Sequence, residues 1–92
     1  MIHHWQKLTA PQLAEFAQRD PVALLVLGAI EQHGTHLPLA TDLTIGEGLQ
    51  AAMLVELDPN LNVICLPAIA VGASDEHASF PGTLSLPAPL AI

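Results

Sequence analysis

The chain has 92 residues, 51% of them hydrophobic, with 2 Lys+Arg against 9 Asp+Glu and a formal net charge of −7. A chain this short supports one small domain at most and leaves roughly a third or more of its extended surface exposed. The negative excess opposes nucleic acid and anionic membrane surfaces, and no apolar run approaches the about 20 residues a membrane-spanning helix needs.

At the N-terminus, Met1 to Lys7 lacks the order of a basic segment followed by an apolar one that a secretory signal requires, so a cytoplasmic location is expected. His3 and His4 read as a solvated or lightly packed pair near a terminus, outside any site. Thr9-Ala10-Pro11-Gln12 then opens a helix. Thr9 caps it, Pro11 sits in the first turn where its missing N–H costs nothing, and Leu13, Phe16 and Ala17 share one face. Asp20-Pro21 ends it.

Val22 to Leu27 is a continuous apolar run of strand length, as in a central parallel strand covered on both faces. Gly28 closes the run. A polar loop from Glu31 to Asp42 follows at the carboxyl end of that strand, where open α/β sheets place their binding sites. Asp42 or Thr41 can cap a second helix running to about Leu57, stopped by Asp58-Pro59-Asn60. Gly46 and Gly48 each weaken that helix by roughly 1 kcal/mol relative to alanine, which points either to close backbone packing or to simple tolerance.

Val63-Ile64-Cys65-Leu66 reads as a second parallel strand, completing a βαβ unit. Cys65 is the single cysteine, which excludes an intrachain disulfide and suits a small buried apolar side chain. Pro67 to Gly72 continues apolar and leads to Ser74-Asp75-Glu76-His77, which the strand-like approach puts on the same rim as the first loop. Phe80-Pro81-Gly82-Thr83 has Pro and Gly where a type II turn wants them, and its role is structural. The tail from Leu84 to Ile92 is apolar with nothing to cover. Two or three strands are only marginally stable alone, so residues 1–92 read as part of an incomplete domain.

The Glu31–Asp42 loop carries the chemistry. Glu31 and Asp42 supply hard carboxylate oxygens and His33 a borderline imidazole nitrogen, a set that suits zinc, manganese or iron. The dull alternative is a polar surface turn whose acids and histidines face water.

Residue order adds to that reading. Glu31-Gln32-His33-Gly34, then His36-Leu37-Pro38-Leu39 and Thr41-Asp42, followed downstream by Gly72-Ala73-Ser74-Asp75-Glu76-His77 and Phe80-Pro81-Gly82-Thr83, resembles the creatininase family of metal-dependent amidohydrolases. The resemblance implies an α/β fold, a parallel-sheet βαβ layered sandwich, of which residues 1–92 form the N-terminal part. It implies a cofactor of two divalent ions in the complete protein, zinc first and manganese or iron next. Glu31 and His33 would each bind one ion and Asp42 would bridge both. A metal-activated water would then hydrolyse a peptide or non-peptide C–N amide bond in a small-molecule amide substrate, with a homo-oligomer as the complete assembly.

His77 is expected either to contact substrate or assist proton transfer or to be satisfied in a polar turn, and His36 to support the ligands by hydrogen bonding or to pack the loop. Asp75 and Glu76 read as solvated turn residues. The family completes its metal shell with a histidine and a polar partner in a later Asn-Gly-His type block, which does not occur before Ile92. Weak or absent double occupancy is therefore expected of these 92 residues. The competing expectation is a catalytically inactive fragment that folds only on association and binds at most one metal.

Overall fold

The computed structural model describes residues 1–91. In chain order it contains β1 (Ile2–His4), α1 (Ala10–Ala17), β2 (Val22–Leu24), α2 (Thr41–Leu54), β3 (Val63–Cys65) and α3 (Ala88–Ala91), with 3₁₀ turns at Trp5–Lys7 and Asp75–His77. The three strands are all parallel and ordered β1-β3-β2, with Ile2 and Val22 both opposite Val63. This is the expected incomplete α/β parallel sheet. Ile92, the end of the apolar tail, lies outside the described residues.

The central position belongs to β3, and all three of its residues are buried. Val63, Ile64 and Cys65 with Phe16 of α1 make up the buried apolar core among the described residues. Where the sequence pointed to Val22–Leu27 as a central strand covered on both faces, the structure puts it at an edge, with Val22 53% and Leu27 69% exposed. A continuous apolar run records burial in the whole domain, and the described residues supply neither a neighbour for this edge nor a cover for its faces.

Strand β1 was not anticipated. Its hydrogen bonds come from β3, about 60 residues away, so three residues containing two histidines carry no local strand signal. His3 and His4 are thus half-buried strand residues, and the His3 ring meets Phe16 edge-on at 4.6 Å. That contact seats α1 beside β1. Thr9 begins α1 as expected, closing a capping box in which Thr9 and Gln12 exchange side-chain and backbone hydrogen bonds.

Beyond Leu24 and Cys65 the pairing continues with a slip. Leu66 N–H donates to Leu24 O, Ile69 N–H to Val26 O, and Gly28 N–H to Ile69 O at 2.7 Å. Leu27 now faces Ile69, so one extra residue has entered on the β3 side, in the segment containing Pro67, which has no N–H to give. The bulge ends the regular strands early yet carries both chains forward together to the rim.

Helix α2 stops at Leu54, three residues short of the expected end, and neither Thr41 nor Asp42 caps it with a side chain. Thr41 Oγ1 instead donates to Pro38 O, and Asp42 turns toward His33. The two glycines of α2 differ in role. A Cβ on Gly46 would stand 2.8 Å from Val26 Cγ1, whereas Gly48 faces open space. Gly28, on the other side of this contact, would bring a Cβ within 3.0 Å of the Leu43 backbone. The helix therefore lies close against the end of the β2 segment, which fixes where its first turn points.

Burial holds the Cys65 thiol above its ordinary pKa, and the residue is 1% exposed. Iodoacetamide at about pH 8 should leave Cys65 unmodified in native buffer and alkylate it readily in denaturant. Rapid native labelling, read by mass spectrometry, would mean that β3 is not the buried centre of the sheet.

Candidate metal centre

Three backbone contacts hold the Glu31 segment before any side chain is considered. Leu84 N–H donates to Ile30 O at 2.8 Å, Glu31 N–H to Leu39 O at 3.0 Å, and Gln32 N–H to Thr83 Oγ1 at 3.0 Å. The Phe80–Thr83 turn that provides Thr83 has Gly82 at φ +88°, as a type II turn requires, and Thr83 N–H closes it onto Phe80 O. A Cβ on Gly82 would overlap the Leu39 side chain, so this turn also packs against the far end of the ligand loop. The expected structural role of the turn is thereby given a target.

On that frame Glu31, His33 and Asp42 converge, with one potential ligand atom from each within 4.8 Å of the others. Two donors on one zinc ion stand at most about 4.2 Å apart, twice a bond of about 2.1 Å, so a shift of well under about 1 Å brings any one pair within that limit. Glu31 is 8% exposed, and among the described residues no hydrogen bond reaches its carboxylate. A buried anion without a donor is the arrangement a cation stabilises most. The residues present fit a divalent metal.

His33 is poised between two acceptors. Its Nδ1–H donates to Glu31 O at 3.1 Å and its Nε2 lies 3.1 Å from Asp42 Oδ1. The hydrogen bond to the Glu31 carbonyl raises its pKa most; partial desolvation opposes the rise, and the Asp42 and Glu31 carboxylates add to it. Asp42 sits in the first turn of α2, where the helix N-terminus also favours a negative charge.

The second polar segment reaches the same place. His77 Nε2 is 4.0 Å from Glu31 Oε1 and 3.9 Å from Glu76 Oε1, and its Nδ1 is 3.4 Å from Gln32 Oε1. Its ring lies parallel to that of His33, at 9° and 6.3 Å between centroids. Glu76, read from the sequence as a solvated turn residue, thus belongs to a further cluster with Glu31 and His77. Asp75 instead accepts from Ser85 Oγ at 3.2 Å, part of the contact that ties the 3₁₀ turn to the chain after Thr83.

The support expected from His36 is not found. Gly34 takes φ +78° and the chain turns outward through His36, which is exposed and, among the described residues, makes no hydrogen bond to the cluster. Gln32 and Thr83 occupy the supporting role instead. Both lie inside the sequence blocks, but nothing local marks a backbone N–H and a hydroxyl 51 residues apart as partners.

A family model described as creatinine amidohydrolase matches residues 6–92. The chain belongs to the creatininase family. It is 38% identical over 68 residues to the mycofactocin precursor peptide peptidase of Mycolicibacterium smegmatis, covering 72% of this chain and 28% of that one. The protein of the same name from Mycobacterium ulcerans is 42% identical over 71 residues, with the same coverage of 72% and 28%. A solved structure of a mutant creatininase superposes with a TM-score of 0.66 at 27% identity, covering 90% of this chain and 33% of that chain. The chain thus spans about a third of the length of the family members it matches.

Two outcomes test the centre. Because His33 titrates above 6.5, metal and proton compete for Nε2 at higher pH than at a free imidazole. Divalent-ion affinity measured by titration calorimetry should fall about tenfold per pH unit below that raised value and level off above it. Thr83→Val removes the acceptor for Gln32 N–H and should weaken ion binding roughly tenfold with the helix content unchanged. Unaltered affinity would mean the turn does not hold the ligand loop.

Proposed function

We propose that this chain is the ligand-bearing N-terminal part of a metal-dependent amidohydrolase, with Glu31, His33 and Asp42 binding divalent metal. The observation that carries the reading is the buried Glu31 carboxylate, free of hydrogen bonds and facing an imidazole and a second carboxylate. The donor set of oxygen and nitrogen without thiolate favours zinc first, then manganese or iron. A bound divalent ion supplies a Lewis acid for an amide carbonyl and lowers the pKa of a coordinated water toward neutrality.

The chain's own residues divide the remaining work. Glu31, fixed by backbone on both sides, sets the position of the ion. His33 presents Nε2 while its Nδ1–H is held by the Glu31 carbonyl, which selects the ligand tautomer. Asp42 approaches from the first turn of α2. No serine or cysteine nucleophile is required, in keeping with Cys65 being buried in β3.

The scissile bond is a C–N amide. The peptidase name shared by relatives at 37% to 42% identity supports a peptide substrate over a small cyclic amide. A homo-oligomer and a cytoplasmic location complete the proposal. A second reading, a part that folds only on association and lacks turnover by itself, is favoured by the exposed Leu27, Leu49, Val55 and Leu90 and by the open β2 edge.

Metal analysis after dialysis against Zn²⁺ should find stoichiometric ion in the wild-type chain and its loss in Glu31→Ala and Asp42→Ala. Retention in both variants, or none in the wild type, would sink the metal reading. Peptide-amide turnover by a monomer isolated by size exclusion would refute the second reading.

A further inference from the structure

A cavity of about 220 Å³ opens between β1 and α1 and shares no residue with the metal cluster. Its apolar wall is made by Met1, Leu8 and Phe16, and Phe16 is only 4% exposed. His3, Gln12, Glu15 and Arg19 supply the polar groups. Met1 and Arg19 stand just ahead of β1 and β2, at the amino end of the strands, whereas Glu31 and the Asp75–His77 turn lie beyond the carboxyl ends. We propose that this cavity binds a small monocarboxylate with an apolar body, its carboxylate held by Arg19. The proposal goes beyond the amidohydrolase reading and needs no metal.

Charge selects the head of the ligand. The chain has 2 Lys+Arg against 9 Asp+Glu, yet among the described residues no carboxylate pairs with the Arg19 guanidinium. Glu15 stands four positions earlier, the spacing that favours a pair within a helix, but α1 ends at Ala17 and Arg19 leaves that register. Arg19 N–H still donates to Phe16 O at 3.0 Å, and Asp20, at φ +53°, then turns the chain away toward β2. The guanidinium is left at the cavity with a fork of N–H donors matched to a carboxylate. Gln12 adds to it. Its Oε1 accepts from Thr9 N–H at 2.9 Å in the capping box, so the amide N–H₂ is the free end.

The opposite wall selects the body. The His3 ring meets Phe16 edge-on at 4.6 Å, and His3 Nε2 is engaged with Met1 Sδ at 3.0 Å, so this side presents a packed apolar surface. A bare inorganic anion would leave Met1, Leu8 and Phe16 facing water, whereas a ligand with an apolar body covers them. The volume lies below the roughly 300–1,000 Å³ of pockets for drug-sized molecules, which suits an acid the size of phenylpropionate. Glu15 limits the ligand to one negative charge, since a second carboxylate would meet its own.

Amide chemical shifts followed by NMR while the chain is titrated with 3-phenylpropionate test this, with EDTA present so that no acid is held through metal at the rim. A Kd on the order of 1 mM is expected for a ligand of this size, with the largest shifts at His3, Gln12 and Phe16. The neutral 3-phenylpropionamide should bind roughly fivefold more weakly, the upper worth of a solvent-exposed ion pair. Arg19→Gln should bring the acid down to the level of the amide at unchanged circular dichroism. Glu15→Gln should tighten the acid and leave the amide as it was. Equal binding of acid and amide, a preference that survives Arg19→Gln, shifts centred on the Glu31–Asp42 loop, or no binding of either overturns the proposal. None of these outcomes touches the metal reading, which is tested by ion content in Glu31→Ala and Asp42→Ala.

Discussion

A carboxylate withdrawn from water without a donor is the constraint on which the rest of this structure turns. Glu31 is 8% exposed, with His77 Nε2 4.0 Å from its Oε1. Its backbone allows no retreat. The antiparallel bridge from Ile30 to Leu84, the bond from Glu31 to Leu39 and the bond from Gln32 to Thr83 fix the segment on both sides. The carboxylate is thereby held at the rim beside His33, Asp42 and His77.

Asp42 depends on a different element. Its distance from Glu31 is set by how closely α2 approaches the end of the β2 segment, and two positions control that approach: Gly46 against Val26 and Gly28 against Leu43. A side chain at either would press the helix away and carry its first turn with it. A glycine inside a helix weakens it by roughly 1 kcal/mol, so at Gly46 helix stability is exchanged for the placement of Asp42, while at Gly48 no such contact exists.

What could be read from the sequence was local, and what could not was distant. The Thr9 cap, the type II turn and the burial of Cys65 follow from residue types within a few positions of one another, and the structure bears each out; it also brings Glu31, His33 and Asp42 of the loop together. The edge strand β1 and the Gln32–Thr83 bond join residues more than 50 positions apart and leave no nearby trace. His36 shares the motif, but motif membership says nothing about direction, and the reversal at Gly34 turns it outward. Glu76 is exposed in its 3₁₀ turn, as a solvated turn residue should be, and lies 3.9 Å from His77 Nε2.

The shape of the chain explains why the centre is nevertheless left so open. A compact chain of this length has a radius of gyration of roughly 12 Å. Here it is 16.0 Å, over extents of 45 × 28 × 18 Å, with the outer edge of β2 unpaired among the described residues. Glu31 follows one parallel strand and the Asp75–His77 turn follows the chain beyond another, so both lie at the carboxyl rim. From that rim the side chains of Asp42 and Glu76 reach 41% and 70% exposure. Carboxylates so exposed hold a cation weakly, because water and salt screen them. Geometry and affinity therefore separate in this molecule. The described residues bring the side chains of Glu31, His33 and Asp42 together, and the exclusion of water that would strengthen their charges requires cover on a side left bare among the described residues.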